Sequence, residues 1–157
     1  MTIRLIAIGK TDSMELQSLI SNYVKRLGHY IKFELVIIPD IKNAKNLSEK
    51  QQKSKEGELI LSKISTSDVL VLLDEKGKQF TSIEFSALLQ KRMNSGIKYL
   101  NLVIGGPYGF SASVYNRANQ TISLSKMTFS HQMVRLFVVE QLYRGFTILR
   151  NEPYHHA

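Results

Sequence analysis

Two loops, each following an apolar run, carry the residues whose types and spacing are best suited to chemistry. Residues 105–109 read Gly-Gly-Pro-Tyr-Gly after the apolar run 100–104, and residues 125–131 read Ser-Lys-Met-Thr-Phe-Ser-His after the run 121–124. The three glycines of the first loop lack a β-carbon, so backbone N–H and C=O groups there can approach a ligand closely. The two loops therefore predict a small-molecule pocket built largely from backbone. The alternative for the glycine loop alone is a tight turn between a strand and a helix.

Several kinds of site are excluded by motif and composition. The glycine loop matches neither G-x-G-x-x-G nor G-x-x-x-x-G-K-[ST], which argues against a dinucleotide fingerprint and a P-loop. The chain has no cysteine, so it has no disulfide framework, no thiolate nucleophile and no thiolate metal site. We expect no metal.

The charge balance points to a polyanionic partner. The formal net charge is +8, yet no run of five like charges occurs, so a nucleic-acid surface would have to be assembled by folding. The N-terminus lacks the pattern of a signal peptide, and no apolar run is long enough for a membrane span. These features predict a cytoplasmic protein with no membrane partner.

Strand-like and helix-like segments alternate along the whole chain. Strands are predicted at residues 3–8, 33–38, 69–73, 100–104 and 121–124, and residues 74–78 are predicted to form a turn. Helices are predicted to start at Asp12, Ser48, Thr81, Ser111 and His131, three of them by a capping pattern with Glu15, Gln51 or Glu84. The alternation predicts a single α/β domain over residues 1–157, with a mostly parallel sheet and helices on both faces. Ligands of such sheets bind beyond the carboxyl ends of the strands, where Leu73, Gly105 and Ser125 lie.

The last helix is apolar around nearly its whole circumference, with a narrow polar arc at Glu140 and Arg144. A domain of this size has little protein of its own to cover such a helix, which favours a two-fold homodimer. The alternative is a central core helix covered on all sides.

Several separate motifs, in one order along essentially the whole chain, resemble the RlmH family. They are Leu73-Asp74, Gly77-Lys78, residues 105–109 and 124–131, Val134-Arg135, residues 140–144 and Pro153-Tyr154-His155. This family, within the SPOUT superfamily, methylates N3 of a pseudouridine in large-subunit (23S) ribosomal RNA. The resemblance implies a C-terminal trefoil knot, a rare exception among folds. It also implies a homodimer packed through the C-terminal helix, and ribosomal RNA or the ribosome as partner.

The resemblance further implies S-adenosylmethionine as the cofactor, held in a bent form by the knot loops. The matching cofactor-contacting positions are Leu73, Gly105, Leu124, Ser125, Lys126, Met127, Thr128 and Phe129. This chain departs from the family pattern at Ser130, where relatives often have proline, and a serine could instead cap the helix that follows. It also ends in His156-Ala157, where relatives usually place a basic residue after the histidine.

Methyl transfer from a sulfonium needs positioning more than a metal or a covalent intermediate. The N3 proton of a uridine-type base would still benefit from a base or polarising group. The substrate-side candidates are His131, Arg135, Tyr154 and His155. Each has a structural alternative: His131 at the helix start, Arg135 as a bridge in the dimer interface, and Tyr154 and His155 in a disordered tail.

Two other functions are compatible with parts of the pattern. A non-catalytic RNA- or ribosome-binding module on the same fold would explain the basic charge. A flavodoxin-like nucleotide-binding protein is the third hypothesis, and the position of the glycine loop after the fourth strand instead of the first counts against it.

Overall fold

The computed structural model describes residues 1–156, in which five strands alternate with five α-helices and one short 3-10 helix, Ala44–Asn46. The strands are β1 (Thr2–Ile8), β2 (Lys32–Ile38), β3 (Val69–Gln79), β4 (Tyr99–Ile104) and β5 (Gln120–Ser123). The α-helices are α1 (Met14–Leu27), α2 (Glu49–Leu61), α3 (Ser82–Asn94), α4 (Ala112–Arg117) and α5 (His131–Leu149). The predicted alternation of strand and helix is confirmed.

All five strands run parallel in one sheet, in the order β2-β1-β4-β3-β5. Alternate residues of each strand face opposite sides, and both sides are covered by helices. The core on one side, against α1, α3 and α5, includes Leu5, Val71, Leu102, Leu142 and Phe146. The core on the other side, against α2 and α4, includes Ile6, Leu70, Val103, Ile60 and Val114. The predicted α/β class with helices on both faces is therefore confirmed, while the trefoil knot stays a prediction.

Helix starts follow the capping signals in the sequence, with one correction. Ser48 with Gln51 and Thr81 with Glu84 form the predicted capping boxes. The first helix is capped one residue later than predicted, by Ser13 instead of Asp12. The Ser13 side chain accepts a hydrogen bond from the backbone N–H of Leu16 at 3.0 Å, and this contact makes Ser13 the residue that caps the helix.

The predicted turn at residues 74–78 is wrong, because β3 continues through it to Gln79. The strand shifts register against β5 between Leu73 and Lys78, and both of these residues pair with Ile122. A β-carbon on Gly77 would lie 2.7 Å from backbone atoms of Thr121 and Ile122. Gly77 therefore marks a close approach of strands β3 and β5 instead of a turn.

Helix α5 lies between α1 and α3 on one face of the sheet. Its inner side is buried, including Val138, Val139 and Leu142, whereas Met133 and Phe137 are 39% and 38% exposed. The helix is thus covered on one side only within a single chain, which argues against the core-helix alternative. The homodimer stays a prediction. Within the described residues, every helix is too short or too polar to span a bilayer.

Candidate functional site

A cavity of about 450 Å³ opens at the carboxyl edge of the sheet, between the glycine loop and the loop after β5. Its volume lies within the range of about 300–1,000 Å³ that is usual for small-molecule sites. The structure brings seven of the eight predicted cofactor positions together in its wall: Leu73, Gly105, Leu124, Ser125, Met127, Thr128 and Phe129. Lys126 is exposed and does not line the cavity. The assignment of these residues to a cofactor stays a prediction.

The loop after β5 is held in place by its own hydroxyl groups. Ser123 Oγ donates to the carbonyl oxygen of Ser125 at 2.7 Å, and the backbone N–H of Met127 donates to Ser125 Oγ at 3.0 Å. Thr128 Oγ1 donates to a carboxylate oxygen of Glu75 at 2.5 Å. The loop is thereby fixed before any ligand arrives, which lowers the entropy cost of binding.

The glycine loop is closed by its own backbone and supported from behind by a buried acid. Gly109 has a φ of 82°, and its N–H donates to the carbonyl oxygen of Gly106 at 3.1 Å. The Glu56 carboxylate of α2 lies against Gly106, with Oε2 2.6 Å from the position of a β-carbon there. Glu56 is 3% exposed, and its Oε1 has no hydrogen-bond partner among the described residues.

Burial raises the pKa of the Glu56 carboxyl, nearby Asp40 adds to the rise, and a hydrogen bond from Gln52 opposes it. Our reading of the sequence missed Glu56. Its spacing to Gly57 and Ile60, which share the buried side of α2, is the signal that would have placed an acid against the sheet.

His131 lies at the rim of the cavity, on the first turn of α5. It is not the cap of that helix. Ser130 takes this role, since its Oγ accepts a hydrogen bond from the backbone N–H of Met133 at 3.1 Å. The capping role expected for Ser130 is therefore confirmed, and the imidazole of His131 is free of it. A role for His131 toward substrate stays a prediction.

Arg135 is completely buried and lines neither cavity, and a role for it toward substrate stays a prediction. Its guanidinium donates to the carbonyl oxygens of Ile8 and Gly9 at 2.9 Å and 2.8 Å, and to Thr11 Oγ1 at 3.2 Å. Arg135 thus fastens the start of α5 to the end of β1. Burial lowers the pKa of the guanidinium, yet a guanidinium stays charged in proteins, so it suits carbonyl oxygens that would otherwise lack a donor.

Tyr154 and His155 are tied back onto α5 and do not line the cavity of their own chain. The Tyr154 hydroxyl bonds to Glu140 at 3.0 Å and to Tyr23 at 3.1 Å, and Arg144 contacts His155 Nδ1 at 3.1 Å. The predicted alternative of a disordered tail is wrong up to His156, whereas Ala157 lies outside the described residues. Burial, with the bonds to Tyr23 and Glu140, raises the pKa of Tyr154, so its phenol keeps its proton and is a poor general base.

A second, smaller cavity of about 270 Å³ adjoins the first and shares Leu73, Leu124 and Phe129 with it. Phe137 and Gln141 of α5 form part of its wall. The rings of Phe129 and Phe137 lie 5.3 Å apart, so an exposed aromatic pair connects the loop after β5 to the outer side of α5.

Known proteins and a protein-family model are similar to this chain along nearly its whole length. A family model described as "Predicted SPOUT methyltransferase" matches residues 1–155. A protein of Flavobacterium johnsoniae named Ribosomal RNA large subunit methyltransferase H is 71% identical over 156 residues, covering 99% of each chain. The protein of the same name from Parabacteroides distasonis is 62% identical with the same coverage.

A solved structure of a probable methylase family protein from Haemophilus influenzae Rd KW20 has a similar fold. Its TM-score is 0.50 at 13% identity, over 95% of this chain and 66% of the other.

Proposed function

The chain belongs to the SPOUT methyltransferase family, and from this premise we propose that it transfers a methyl group from S-adenosylmethionine to large-subunit ribosomal RNA. Its relatives carry that activity in their name and match 99% of its length. The family resemblance of the loops supports N3 of a pseudouridine as the acceptor. The observation that carries the proposal is the cavity in which seven family-matched positions converge. We propose that residues 1–157 act as one domain, in the cytoplasm where ribosomes are made.

The wall of the cavity fits the proposed cofactor. Backbone groups of the glycine loop and of residues 124–129 offer donors and acceptors for an adenine and a ribose. Asp74 and Glu75 are the acidic side chains in the wall, and their charge suits a cationic sulfonium. When bound, S-adenosylmethionine supplies an electrophilic methyl group on that sulfonium.

The residues of the chain then have to orient the acceptor base, exclude water and receive a proton. The rings of Phe129 and Phe137, at the junction of the two cavities, offer a surface on which a base can stack. His131, at the rim, is the candidate to accept the N3 proton, because a neutral imidazole has a ring nitrogen whose lone pair can accept a proton.

We propose a homodimer that pairs the outer side of α5 with its copy. The exposed side chains of Met133 and Phe137 lie on this side. Tyr154 is bonded to Glu140, nine residues and therefore roughly 14 Å along the helix from His131. Antiparallel pairing of two such helices brings each tail, with Tyr154 and His155, toward the cavity of the other copy.

Calorimetric titration with S-adenosylmethionine tests the cofactor, and radiolabelled methyl transfer to ribosomes lacking the modification tests the substrate. Ser125→Arg should lose most of the affinity, because it adds bulk and positive charge to the cavity wall. Lys126→Ala, in the same loop but outside the wall, is the matched control and should bind as the wild type does. Binding heat and label transfer together support the enzyme. Absence of both would favour the non-catalytic RNA- or ribosome-binding module.

A further inference from the structure

A strongly basic segment, residues 41–55, lies outside the cavity and takes no part in the site described above. It contains five lysines and a single acidic residue, Glu49, in a chain whose net charge is +8. The lysines are Lys42, Lys45, Lys50, Lys53 and Lys55. About half of the net charge of the protein is thus concentrated in one short stretch.

These charges face solvent and are not neutralised by the protein. Lys42, Lys45, Lys50 and Lys55 are exposed, and Lys53 is half-buried. Within residues 1–156, the ion pairs involve Arg4, Lys32 and Arg144, and none involves a lysine of this segment. A cluster of unpaired, exposed lysines produces a local positive potential that attracts polyanions.

The segment flanks the cavity. It follows β2 at the carboxyl edge of the sheet, where the N–H of Gly9 donates to the carbonyl oxygen of Ile38 at 2.8 Å. The Asp40 carboxylate packs against Gly9, 2.8 Å from the position of a β-carbon there. On α2, Glu56 packs against Gly106 of the cavity wall. Both ends of the basic segment are therefore fixed to the edge at which the cavity opens.

The backbone of the segment is ordered by its own hydrogen bonds. The N–H of Asn46 donates to the carbonyl oxygen of Asn43 at 3.0 Å, and the Ser48 to Gln51 capping box starts α2. The lysines consequently project from fixed Cα positions. The segment has no aromatic residue, so it suits contacts to phosphates instead of stacking on bases.

We propose that residues 41–55 bind the phosphate backbone of the ribosomal RNA substrate and hold the target nucleotide at the mouth of the cavity. This inference rests on the proposed function. It assigns to the segment a contribution to RNA affinity that is independent of sequence and strongly dependent on salt. S-adenosylmethionine binding does not depend on it.

The test compares two triple variants with equal charge loss. Lys42→Gln, Lys45→Gln and Lys50→Gln remove charge from the basic segment. The matched control changes Lys63, Lys91 and Lys98 to Gln, three exposed lysines of the opposite edge. Three contacts place these lysines at that edge. Arg92, near the end of α3, bonds to Gln120 at the start of β5. The N–H of Thr2 donates to the carbonyl oxygen of Lys98, and Arg4, near the start of β1, donates to the carbonyl oxygen of Lys63.

Binding to a large-subunit rRNA fragment is measured at rising KCl, beside calorimetric titration with S-adenosylmethionine. We expect the segment variant to bind RNA at least about ten-fold more weakly, with a salt slope lower by about two to three, since each phosphate contact contributes about one. The control should stay close to wild type, and all three proteins should bind the cofactor equally.

Equal RNA affinity and salt slope in the segment variant and the control, with wild-type binding intact, would overturn the inference alone. Failure of the wild type to bind or methylate rRNA would instead overturn the proposed function, and the inference with it. Loss of cofactor affinity in the segment variant would also overturn the inference, because it would place these lysines in the cavity.

Discussion

The carboxylate of Glu56 occupies the space that a β-carbon on Gly106 would need, with its two oxygens 2.6 Å and 2.7 Å from that position. The backbone φ of Gly106 is not in the left-handed region, so its backbone conformation does not require a glycine. The close approach of Glu56 does. Glu56 on α2 and Gly106 in the cavity wall are in direct contact. A change in either residue should therefore alter the affinity of the proposed site for its cofactor.

Gly106→Ala should lower the affinity for S-adenosylmethionine by about ten-fold or more, because the loop or α2 must shift to admit the methyl group. Glu56→Ala in the same chain frees that space and should restore part of the affinity. Titration calorimetry on the four members of this cycle measures the coupling. Gly28→Ala is the control, since the nearest atom to a β-carbon there is 3.4 Å away. Wild-type affinity in Gly106→Ala would show that this contact does not shape the site.

The contribution of Glu56 to the free energy of unfolding should fall as pH rises. The pKa of this carboxyl is raised in the folded chain, so the folded state binds more protons than the unfolded state between the ordinary and the raised value. The free energy of unfolding must therefore decrease through that window. Glu56→Gln should show a smaller decrease than the wild type as pH rises above the ordinary pKa of a glutamate, measured by urea unfolding. Glu58→Gln, exposed on the same helix, should follow the wild type; identical pH dependence of all three proteins would rule out the effect.

The elements of the fold were predictable because local signals and tertiary packing agree. Periodic apolar residues and two capping boxes placed strands and helices within a few residues. The turn predicted at residues 74–78 failed because its charged composition is typical of a loop, whereas here an extended strand pairs again with β5. Pairing between distant segments leaves no local signal.

Some parts of the candidate site were predictable from the sequence and others were not, for the same reason. The loops that form the cavity are recognisable from their glycines and hydroxyls. Arg135 could not be placed from the sequence, because nothing nearby in the chain indicates that the carbonyl oxygens of Ile8 and Gly9 are its partners, 127 and 126 residues away. Glu56 was missed for a similar reason, since an acid in a lysine-rich helix reads as a solvated charge until its helical face is considered.

Replacing Arg135 should lower the stability of the folded chain, and any loss of activity should follow from that loss of stability. Arg135→Met keeps most of the volume but leaves the carbonyl oxygens of Ile8 and Gly9 without their buried donor. We expect the free energy of unfolding to fall by about 3 kcal/mol. Arg135→Lys keeps the positive charge but lacks the forked N–H donors of a guanidinium. Its free energy of unfolding should lie between those of the wild type and of Arg135→Met. Urea unfolding followed by circular dichroism measures both; a variant as stable as the wild type but inactive would support a direct role of Arg135 toward substrate.

Phe137→Glu should separate the proposed dimer into monomers, because it places a charge on the exposed outer side of α5. Light scattering after gel filtration should give the wild type a mass twice the 17.9 kDa of the chain. The variant should have the mass of one chain. Methyl transfer should be lost with the dimer in Phe137→Glu and also in Met133→Glu, which changes the same exposed side of α5 outside both cavities, since Tyr154 and His155 lie away from the cavity of their own chain. The control, Leu59→Glu, changes a residue of α2, on the other face of the sheet, that is 38% exposed, and should remain dimeric and active. If the wild type is monomeric, or if Phe137→Glu stays dimeric, the pairing through α5 is wrong and the tail must serve another purpose.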